Sequence, residues 1–386
     1  MFRIKLFNSI AEVGTSLLEK SVFETSANVA NPQGVVLRSF KMQESDLNPE
    51  LLGIARAGAG TNNIPVPLCS DKGIVVFNTP GANANAVKEL VICSLYLSSR
   101  KIVQSINKVI ELKNDTEIAK TAEKIKSDYV GPEIGGKTLG LLGLGAIGSK
   151  VANDAMALGM KVIGYDPFLS VRAAINLNPS VKLANTMDEV IAQSDYLSLH
   201  LPLTDKTKGV VNSEMIAKMK DGVRIMNFSR GEIVNNNDMK AAVSSGKVAC
   251  HVTDFASPEI IDVPNIIVMP HLGASTPEAE DNCAEMACDQ IRDFLINGNI
   301  KNSVNFPDVF LDRASKTRLT IINKNVQGIV EKISHVLASN HINIAEMINK
   351  SQGDFAYNII DTDQDISDII VEAMQKIDGV LRVRKI

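Results

Sequence analysis

The sequence predicts an α/β protein with two doubly wound parallel-sheet domains and a smaller C-terminal βαββαβ domain. Three observations carry this prediction. Short β-branched runs alternate with helical stretches in two successive parts of the chain, a polar connector follows near 299–316, and the remaining tail reads strand, helix, strand, strand, helix, strand. Alternating strands and helices give parallel strands with helices on the sheet faces. At 386 residues the chain is also longer than a single core usually supports.

The first part of the chain contains the weaker of the two alternating patterns. A helix is predicted near Ile10–Leu18, and a longer one at about Ala84–Ser99 after the helix breaker Thr79-Pro80-Gly81. The predicted strands are Ile4–Phe7, Val35–Leu37, Leu52–Arg56 and Ile74–Phe77.

From Lys137 the same alternation returns with stronger signals, and Gly159 and Gly246 are placed as helix stops. Helices are predicted at Ser149–Leu158, Met187–Gln193, Ser213–Met219 and Asn237–Ser244. Six strands are predicted, enough for a complete doubly wound domain: Thr138–Leu142, Val162–Tyr165, Tyr196–His200, Val223–Phe228, Val248–Thr253 and Ile266–Met269. Ser275-Thr276-Pro277-Glu278 then starts a helix that runs to about Ile296.

Both helices of the tail carry one apolar face, so we expect them to cover one side of a sheet. The apolar positions are Ile329, Ile333, Val336 and Leu337 in the first helix, and Ile366, Ile369, Ile370, Ala373, Met374 and Ile377 in the second. The predicted strands are Arg318–Ile322, Ile342–Ile348, Phe355–Ile360 and Val380–Val383. The elements predict a discontinuous domain over 1–95 and 275–305, an inserted domain over 96–274 and a third over 315–386.

Composition and charge narrow the class of protein. The chain is 45% apolar and 22% charged, as globular proteins are, and its net charge of −4 does not favour nucleic acid or an anionic membrane as a partner. Five scattered cysteines predict small buried side chains rather than disulfides or metal ligands, so no metal is expected. Because the sequence has no secretory signal and no 18-residue apolar run, we expect a cytoplasmic protein.

A glycine-rich segment, Gly143-Leu144-Gly145-Ala146-Ile147-Gly148, follows a predicted strand and opens a predicted helix. Gly143 allows the tight turn, Gly145 lets the backbone approach a pyrophosphate, and Gly148 lets helix and strand pack closely. The pattern alone is also compatible with a purely structural turn. Asp166, at the end of the next strand, can accept hydrogen bonds from both ribose hydroxyls and would repel a 2′-phosphate. The cofactor predicted from these residues is NAD.

Three residues after this segment suit the oxidation of an alcohol next to a carboxylate. Arg230 follows a strand, where a guanidinium can grip a carboxylate with two hydrogen bonds, although a surface ion pair is the alternative. His271 follows the final strand and suits a proton acceptor near neutral pH, whereas a lone histidine is more often structural. Glu259 is a candidate partner that would favour imidazolium and fix the ring tautomer. His200, which ends a strand, is expected to line the nicotinamide pocket.

The chain resembles the D-isomer-specific 2-hydroxyacid dehydrogenase family over nearly its whole length. The resemblance rests on the glycine segment and Asp166 together with Arg56–Gly60, Phe77–Gly81, Asn227–Gly231 and Pro270–Thr276. It implies a Rossmann-type NAD-binding domain inserted into a flavodoxin-like substrate domain. It also implies Arg230 as the substrate-binding arginine, His271 as the acid/base and Glu259 as its partner. Aligning Asp254 with the family aspartate supports Glu259, but aligning the phenylalanines would put Pro258 there instead.

The resemblance also implies the remaining site residues. Gly58 and Ala59 would offer backbone N–H groups to the substrate carboxylate, and Arg56, or less strongly Lys88, would hold a substrate phosphate. Beyond the glycines, the implied NAD contacts are Thr79, Ala146, Ile147, Asp166, His200, Leu201, Phe228, Ser229, Asp254 and Gly273. The expected reaction is oxidation of 3-phosphoglycerate to 3-phosphohydroxypyruvate, which opens L-serine biosynthesis.

The tail is similar to an ACT domain, a small regulatory module that often binds amino acids at paired interfaces. Asn323, Asn325 and Asn343 match positions that bind serine in such modules, so serine is a possible effector; a purely structural role in dimerisation is the alternative. A homodimer or homotetramer is expected. Two other functions stay open: a dehydrogenase or hydroxypyruvate reductase for another 2-hydroxy acid, and a non-catalytic NAD-sensing protein on the same scaffold.

Overall fold

The computed structural model describes the whole chain except Lys316, and for Arg172 it describes the backbone alone. The described residues form two compact units, one of Met1–Asn83 with Pro277–Ile386 and one of Ala84–Thr276. They contain a five-stranded and a seven-stranded parallel sheet and a four-stranded antiparallel sheet. The predicted fold class is therefore confirmed. The predicted three-domain boundaries stay a prediction; the one at 95/96 falls inside a continuous helix.

The first sheet has five parallel strands in the order β2-β1-β3-β4-β5. Its central strands are buried on both faces, which explains why they read as continuous apolar runs such as Val35-Val36-Leu37. Four of the strands were predicted; β2 was missed because its four residues include the exposed Glu24 and lie at an edge. The elements are β1 (Phe2–Phe7), α1 (Glu12–Thr15), β2 (Phe23–Ser26), β3 (Gly34–Leu37), β4 (Gly53–Arg56), α2 (Val66–Asp71) and β5 (Val75–Phe77).

The second sheet has seven parallel strands in the order β12-β11-β10-β9-β6-β7-β8. The six predicted strands are confirmed, and the two-residue β8 extends the edge beyond β7. Its strands are β6 (Thr138–Leu142), β7 (Lys161–Tyr165), β8 (Lys182–Leu183), β9 (Tyr196–Leu199), β10 (Val223–Asn227), β11 (Val248–Thr253) and β12 (Ile266–Val268). Its helices are α3 (Ala84–Arg100), α4 (Ile102–Glu111), α5 (Ile118–Ile125), α6 (Gly148–Ala157), α7 (Val171–Ile175), α8 (Met187–Gln193), α9 (Ser213–Ala217) and α10 (Asn236–Ser244).

The strand order of the second sheet defines where a ligand can bind. The chain moves outward from β6 to β7 and β8, then returns to β9 on the other side of β6. At such a reversal the loops beyond the carboxyl ends of the two strands diverge and leave a crevice. The glycine segment leaves β6 at this point, so the sheet places it where a dinucleotide is expected.

A long helix, α11 (Pro277–Asn297), returns the chain to the first sheet and is followed by the tail. The tail is an antiparallel sheet with the strand order β14-β15-β13-β16, as the predicted βαββαβ pattern requires. The tail helices share one apolar core with one face of this sheet, so that prediction is confirmed. The elements are β13 (Thr317–Lys324), α12 (Ile329–Ser339), β14 (Ile344–Gln352), β15 (Phe355–Thr362), α13 (Asp368–Gln375) and β16 (Val380–Lys385).

The tail sheet packs its other face into the core of the first sheet. Tyr357 and Ile359 belong to the same buried cluster as Ile4 and Phe294. The carboxyl end of α11, which has no basic residue in its last turn, receives donors from the tail. Arg384 donates to the carbonyl oxygen of Leu295, and the Tyr357 hydroxyl donates to that of Gly298. Within the described chain, no helix is both long and apolar enough to cross a membrane.

Candidate active site

The glycine segment forms a turn that tolerates no side chain at two of its positions. Gly143 has φ +97, and a Cβ there would lie 2.3 Å from the carbonyl oxygen of His200. A Cβ on Gly148, the first residue of α6, would lie 2.1 Å from the carbonyl oxygen of Gly143. Gly145 is exposed and faces open space, with nothing within 4 Å of an added Cβ. This turn therefore leaves room for a group that approaches the backbone near Gly145 and the neighbouring exposed Ala146.

The carboxylate of Asp166 is held against this turn. It follows β7, accepts a hydrogen bond from the Leu144 N–H at 2.9 Å, and accepts another from the Phe168 N–H at 2.9 Å. Asp166 is half-buried, so its remaining lone pairs can reach solvent or a ligand. The two elements that the sequence predicts for a dinucleotide, the glycine turn and the acidic residue, thus lie together at the carboxyl ends of β6 and β7. Ile147, also predicted as a contact, is half-buried on the same turn.

His200 lies beside the glycine turn as a neutral imidazole. Its Nε2 lies 3.0 Å from the Ser198 hydroxyl, and burial lowers the pKa of His200 to about 4. The next residue, Leu201, is half-buried. The place of His200 in a nicotinamide pocket stays a prediction.

The loop after β10 carries Arg230 and is fixed by an asparagine. Asn227 is 1% exposed; its amide N–H donates to the Arg230 carbonyl, and its Oδ1 accepts from the N–H and the hydroxyl of Ser229. The Arg230 guanidinium is half-buried and donates to the Ser229 carbonyl, and Phe228 is buried. Asn227 had been named only as part of a motif, although an asparagine at a strand end is a signal for such a turn.

Asp254 brings the loop of Arg230 and the loop of His271 together. It follows β11, which lies between the strands that precede the Arg230 and His271 loops, and is 2% exposed; its backbone carbonyl accepts a hydrogen bond from the His271 N–H at 2.9 Å. Burial raises the pKa of Asp254, which the Gly273 N–H, His271 and Arg230 oppose. One carboxylate oxygen accepts from the Gly273 N–H at 2.8 Å, while Oδ1 is buried and has no hydrogen-bond partner in the described part of the chain. A buried acceptor without a donor calls for a partner that the described chain does not supply.

Glu259 does not have a comparable position in this structure. It is exposed, and its pKa is lowered first by a hydrogen bond from the Ser257 side chain. His271 is exposed as well, and its ring packs edge-on against Phe255 with a centroid distance of 5.1 Å. The structure therefore brings Asp254 to His271, and leaves the predicted pairing of Glu259 with His271 a prediction. The adjacent Pro258 is also exposed.

In the other unit, Arg56 and Arg38 lie next to the loop Gly58–Gly60. A Cβ on Gly58, which has φ +147, would lie 2.0 Å from Nη1 of Arg56, so this guanidinium covers the loop. Arg56 Nε donates to the carbonyl of Arg38, and the Arg38 guanidinium pairs with Glu280 at 2.6 Å. Thr79 is fully buried, and its N–H donates to the Gly58 carbonyl. Sequence reasoning missed Arg38, which only the pairing of β3 with β4 places beside Arg56.

Two other groups of predicted residues are already engaged with neighbours. Lys88 pairs with Asp154 at 2.8 Å, and only 14% of its side chain is exposed, which weakens it as a phosphate ligand. In the tail, Asn323 is fully buried and accepts from the Asn358 amide at 2.7 Å. Asn325 and Asn343 are exposed, and their amides donate to Gly353 and Asp363.

Comparison with known proteins identifies the family. Residues 99–273 match the model of the D-isomer specific 2-hydroxyacid dehydrogenase NAD binding domain. The chain is 33% identical over 337 residues to the D-3-phosphoglycerate dehydrogenase of Synechocystis, covering 82% of this chain and 58% of that protein. It is 32% identical over 344 residues to D-3-phosphoglycerate dehydrogenase 1 of Saccharomyces cerevisiae, covering 82% of this chain and 70% of the yeast protein.

Solved structures of related enzymes have the same fold over most of this chain. An NAD⁺-bound 3-phosphoglycerate dehydrogenase of Entamoeba histolytica aligns with a TM-score of 0.63 and 29% identity, over 80% of this chain and 99% of that one. A glyoxylate reductase from Paecilomyes thermophila aligns with a TM-score of 0.66 and 25% identity, over 78% of this chain and 98% of that one. The chain spans about three fifths of the length of the Synechocystis relative. The fold, the glycine turn with Asp166 and these similarities show that the chain belongs to the D-isomer specific 2-hydroxyacid dehydrogenase family.

Proposed function

We propose that this protein oxidises 3-phosphoglycerate at C2 with NAD, giving 3-phosphohydroxypyruvate, and so opens L-serine biosynthesis. One observation carries the proposal: Arg230 and His271 follow the parallel strands β10 and β12, which flank β11, and Asp254 at the end of β11 hydrogen-bonds to the turn of His271. A cation for a carboxylate and an imidazole for a hydroxyl proton are the groups that this oxidation needs. The relatives in Synechocystis and yeast bear the name of this activity.

The residues present fit NAD. The open space at Gly145, the amino end of α6 and the anchored Asp166 suit a diphosphate and an adenosine ribose, and the buried Oδ1 of Asp254 suits an amide donor. When bound, NAD supplies a hydride acceptor. We assign the NAD contacts to the glycine turn and to residues of the loops that follow the strands. These are Gly143, Gly145, Ala146, Ile147, Gly148, Asp166, His200, Leu201, Phe228, Ser229, Asp254 and Gly273, together with Thr79.

In the proposed reaction the chain's own residues orient the substrate and move its proton. The Arg230 guanidinium binds the substrate carboxylate with two hydrogen bonds, which fixes C2 and its hydroxyl. The imidazole of His271 accepts the hydroxyl proton while the C2–H bond breaks and its electron pair leaves as hydride, so that a C2 carbonyl forms. Arg230 also stabilises the negative charge that develops on the C2 oxygen. Glu259 remains our candidate for orienting His271 if its loop moves on substrate binding.

We propose that Arg56 and Arg38 bind the substrate phosphate, and that the N–H groups of Gly58 and Ala59 meet its carboxylate. Arg56 covers the glycine loop, and its Nε donates to the backbone carbonyl of Arg38, whose guanidinium has to leave Glu280 before it can bind a phosphate. Arg56→Met and Arg38→Met should each raise KM for 3-phosphoglycerate at least 10-fold and change KM for D-glycerate by less than 2-fold, because only the phosphate contact is lost. If Lys88→Met has this effect and the arginine variants do not, Lys88 is the phosphate ligand.

The glyoxylate reductase similarity supports a second candidate, reduction of a small unphosphorylated 2-oxo acid. NADH formation should be measured with 3-phosphoglycerate, D-glycerate and D-lactate, and NADH consumption with hydroxypyruvate and glyoxylate. Equal kcat/KM for D-lactate and 3-phosphoglycerate would rule out a phosphate-selective pocket. NAD binding without turnover of any of them would favour the third candidate, an NAD-sensing protein.

We further propose that the tail binds a small amino acid such as serine through Asn325 and Asn343. Their amides reach the surface, whereas the buried Asn323 can contribute only after its bond to Asn358 opens. Inhibition of NADH formation by serine, lost in Asn343→Ala, tests this; no response of activity or of the melting temperature to serine would leave the tail a structural element.

We also propose a cytoplasmic homodimer or homotetramer. All five cysteines are free, and α4 exposes Ile106 and Ile110 to 53% and 60%, an apolar surface that a second copy can cover. Light scattering should give a mass of two or four chains. A single chain at micromolar concentration would contradict this.

A further inference from the structure

The segment Arg38-Ser39-Phe40, which follows β3, is held on its N–H groups by one asparagine side chain. Asn8 is the first residue after β1, and because β1 pairs with β3 it lies beside the segment. Its Oδ1 accepts hydrogen bonds from three successive backbone N–H groups, those of Arg38 at 3.4 Å, Ser39 at 3.1 Å and Phe40 at 2.8 Å. A single side-chain oxygen therefore binds the whole segment.

A second asparagine holds the same segment by its carbonyl groups. The Nδ2 of Asn63 donates to the carbonyl oxygens of Arg38 at 3.2 Å and of Phe40 at 2.8 Å. These two acceptors determine how the Asn63 amide is oriented, because its Oδ1 has no proton to donate to them. Arg56 adds a third bond, from its Nε to the carbonyl of Arg38 at 3.2 Å. The segment is thus bound through an oxygen on its N–H groups and through nitrogens on its carbonyls.

Backbone conformation and packing add to these hydrogen bonds. Asn8 has φ +69, a left-handed conformation that asparagine and aspartate adopt more readily than other residues with a side chain. The ring of Phe40 stacks on that of Phe7, with a centroid distance of 4.0 Å. The Arg38 guanidinium, by contrast, reaches the surface and pairs with Glu280, and its side chain is 40% exposed. The backbone of Arg38 is therefore fixed, while its charged end can exchange partners.

We infer that Asn8 and Asn63 are positioning residues for the proposed reaction: they clamp the backbone of Arg38, so that its guanidinium reaches the substrate phosphate once it leaves Glu280. The inference rests on the proposed role of Arg38 as a phosphate ligand. A guanidinium on a fixed backbone loses less conformational freedom when it binds, so the clamp should contribute to substrate affinity. Neither asparagine takes part in the proton transfer, so the chemical step should keep its rate without them.

The same substitution at the two asparagines should have opposite effects. Asn8→Asp keeps the acceptor oxygen and tolerates the left-handed conformation, so KM for 3-phosphoglycerate should stay within about 3-fold of the wild type. Asn63→Asp removes both donors and sets an acceptor against two carbonyls, so KM should rise on the order of 10-fold with kcat within about 2-fold. Asn8→Ala, which removes the acceptor, should behave like Asn63→Asp. KM for D-glycerate should change by less than about 2-fold in all three variants.

Two measurements without turnover keep the inference separate from the proposed function. Hydrogen exchange of the amides in 38–40, followed by mass spectrometry, should be on the order of 10-fold faster in Asn8→Ala and unchanged in Asn8→Asp. Calorimetric binding of 3-phosphoglycerate should weaken in Asn8→Ala alone. The control Asn212→Ala, which removes an equivalent acceptor at the start of α9, should change neither. If the wild type binds 3-phosphoglycerate without oxidising it, the proposed function fails while these measurements still decide the inference.

A double variant tests whether the effect passes through Arg38. In the Arg38→Met background, Asn8→Ala should raise KM by less than about 2-fold further, because the group that it positions is gone. Additive effects overturn the positioning role. So does an Asn8→Ala variant that exchanges faster yet binds 3-phosphoglycerate as the wild type does, or an Asn8→Asp variant as impaired as Asn8→Ala. Should Asn63→Asp fail to fold, the Asn8 variants and the double variant still decide.

Discussion

Arg318 and Asp361 form a fully buried ion pair in the tail, with Nε to Oδ1 at 2.6 Å and Nη2 to Oδ2 at 2.8 Å. The same guanidinium donates to the carbonyl of Asn297, the last residue of α11. Breaking one side of such a pair leaves an uncompensated buried charge. Asp361→Asn should therefore lower the free energy of unfolding by about 3–5 kcal/mol, measured in urea. The double variant Arg318→Met with Asp361→Asn should lose less than the sum of the single changes; simple additivity would contradict direct coupling.

Gly148→Ala should weaken NAD binding. The added Cβ would lie 2.1 Å from the carbonyl oxygen of Gly143, so the turn must open and its N–H groups move. We expect the Kd for NADH to rise at least 10-fold. The chain has no Trp, so NADH fluorescence is the suitable signal. Gly135→Ala, where an added Cβ meets nothing within 4 Å, is the matched control; equal affinity in both variants would refute the assignment of the turn.

His271→Ala should reduce kcat on the order of 10²-fold or more, because the hydroxyl proton loses its acceptor. The Kd for NADH should change by less than about 3-fold. Steady-state kinetics with 3-phosphoglycerate and an NADH titration of the same preparation check both. A kcat within 2-fold of the wild type, with an unchanged pH profile, would remove His271 from the mechanism.

Acid should destabilise the second unit through the half-buried His200 and the buried His251. Burial lowers the pKa of His200 and of His251 to about 4, whereas an unfolded histidine has a pKa of about 6.5. The unfolded chain therefore binds more protons between these values, and stability is lost as the pH falls through that window. The free energy of unfolding should decline by about 1.4 kcal/mol per pH unit for each histidine. Urea unfolding at pH 7.5, 6.0 and 5.0 measures this slope.

His251→Asn should reduce the slope, since one of the two groups is removed. A stability that stays flat from pH 7 to 5 would contradict the burial of these imidazoles as uncharged groups. The Nδ1 of His251 lies 3.0 Å from the Ile225 carbonyl, so Asn can replace that donor in part.

Much of the fold could be predicted because the sheets impose simple patterns. Strands that are buried on both faces appear in the sequence as apolar runs. In the tail, the two amphipathic helices alternate with strands in the order that predicts a βαββαβ unit. The helices α4 and α5 were missed, although Ile102, Ile106, Val109 and Ile110 have helical spacing. The short edge strand β8, with two exposed residues, has no such signal.

The candidate site could be predicted only in part, because its geometry depends on contacts distant in sequence. The glycine turn and Asp166 follow from local pattern. The proximity of Asp254 to Arg230, and of Arg38 to Arg56, follows from which strands are neighbours. The pairing of Lys88 with Asp154 likewise depends on how α3 packs on α6, which sequence spacing does not reveal.

The shared core of the first sheet and the tail has a consequence for how the protein is made. Ile4, near the start of the chain, is buried in one cluster with Phe294, Tyr357 and Ile359, from its last quarter. During synthesis, Ile4 must wait for partners that leave the ribosome 290 residues later, in the case of Phe294, or more than 350 residues later, in the case of Tyr357 and Ile359. The unit Ala84–Thr276 has its own core and can fold during this time. It should therefore complete its folding before the first sheet does.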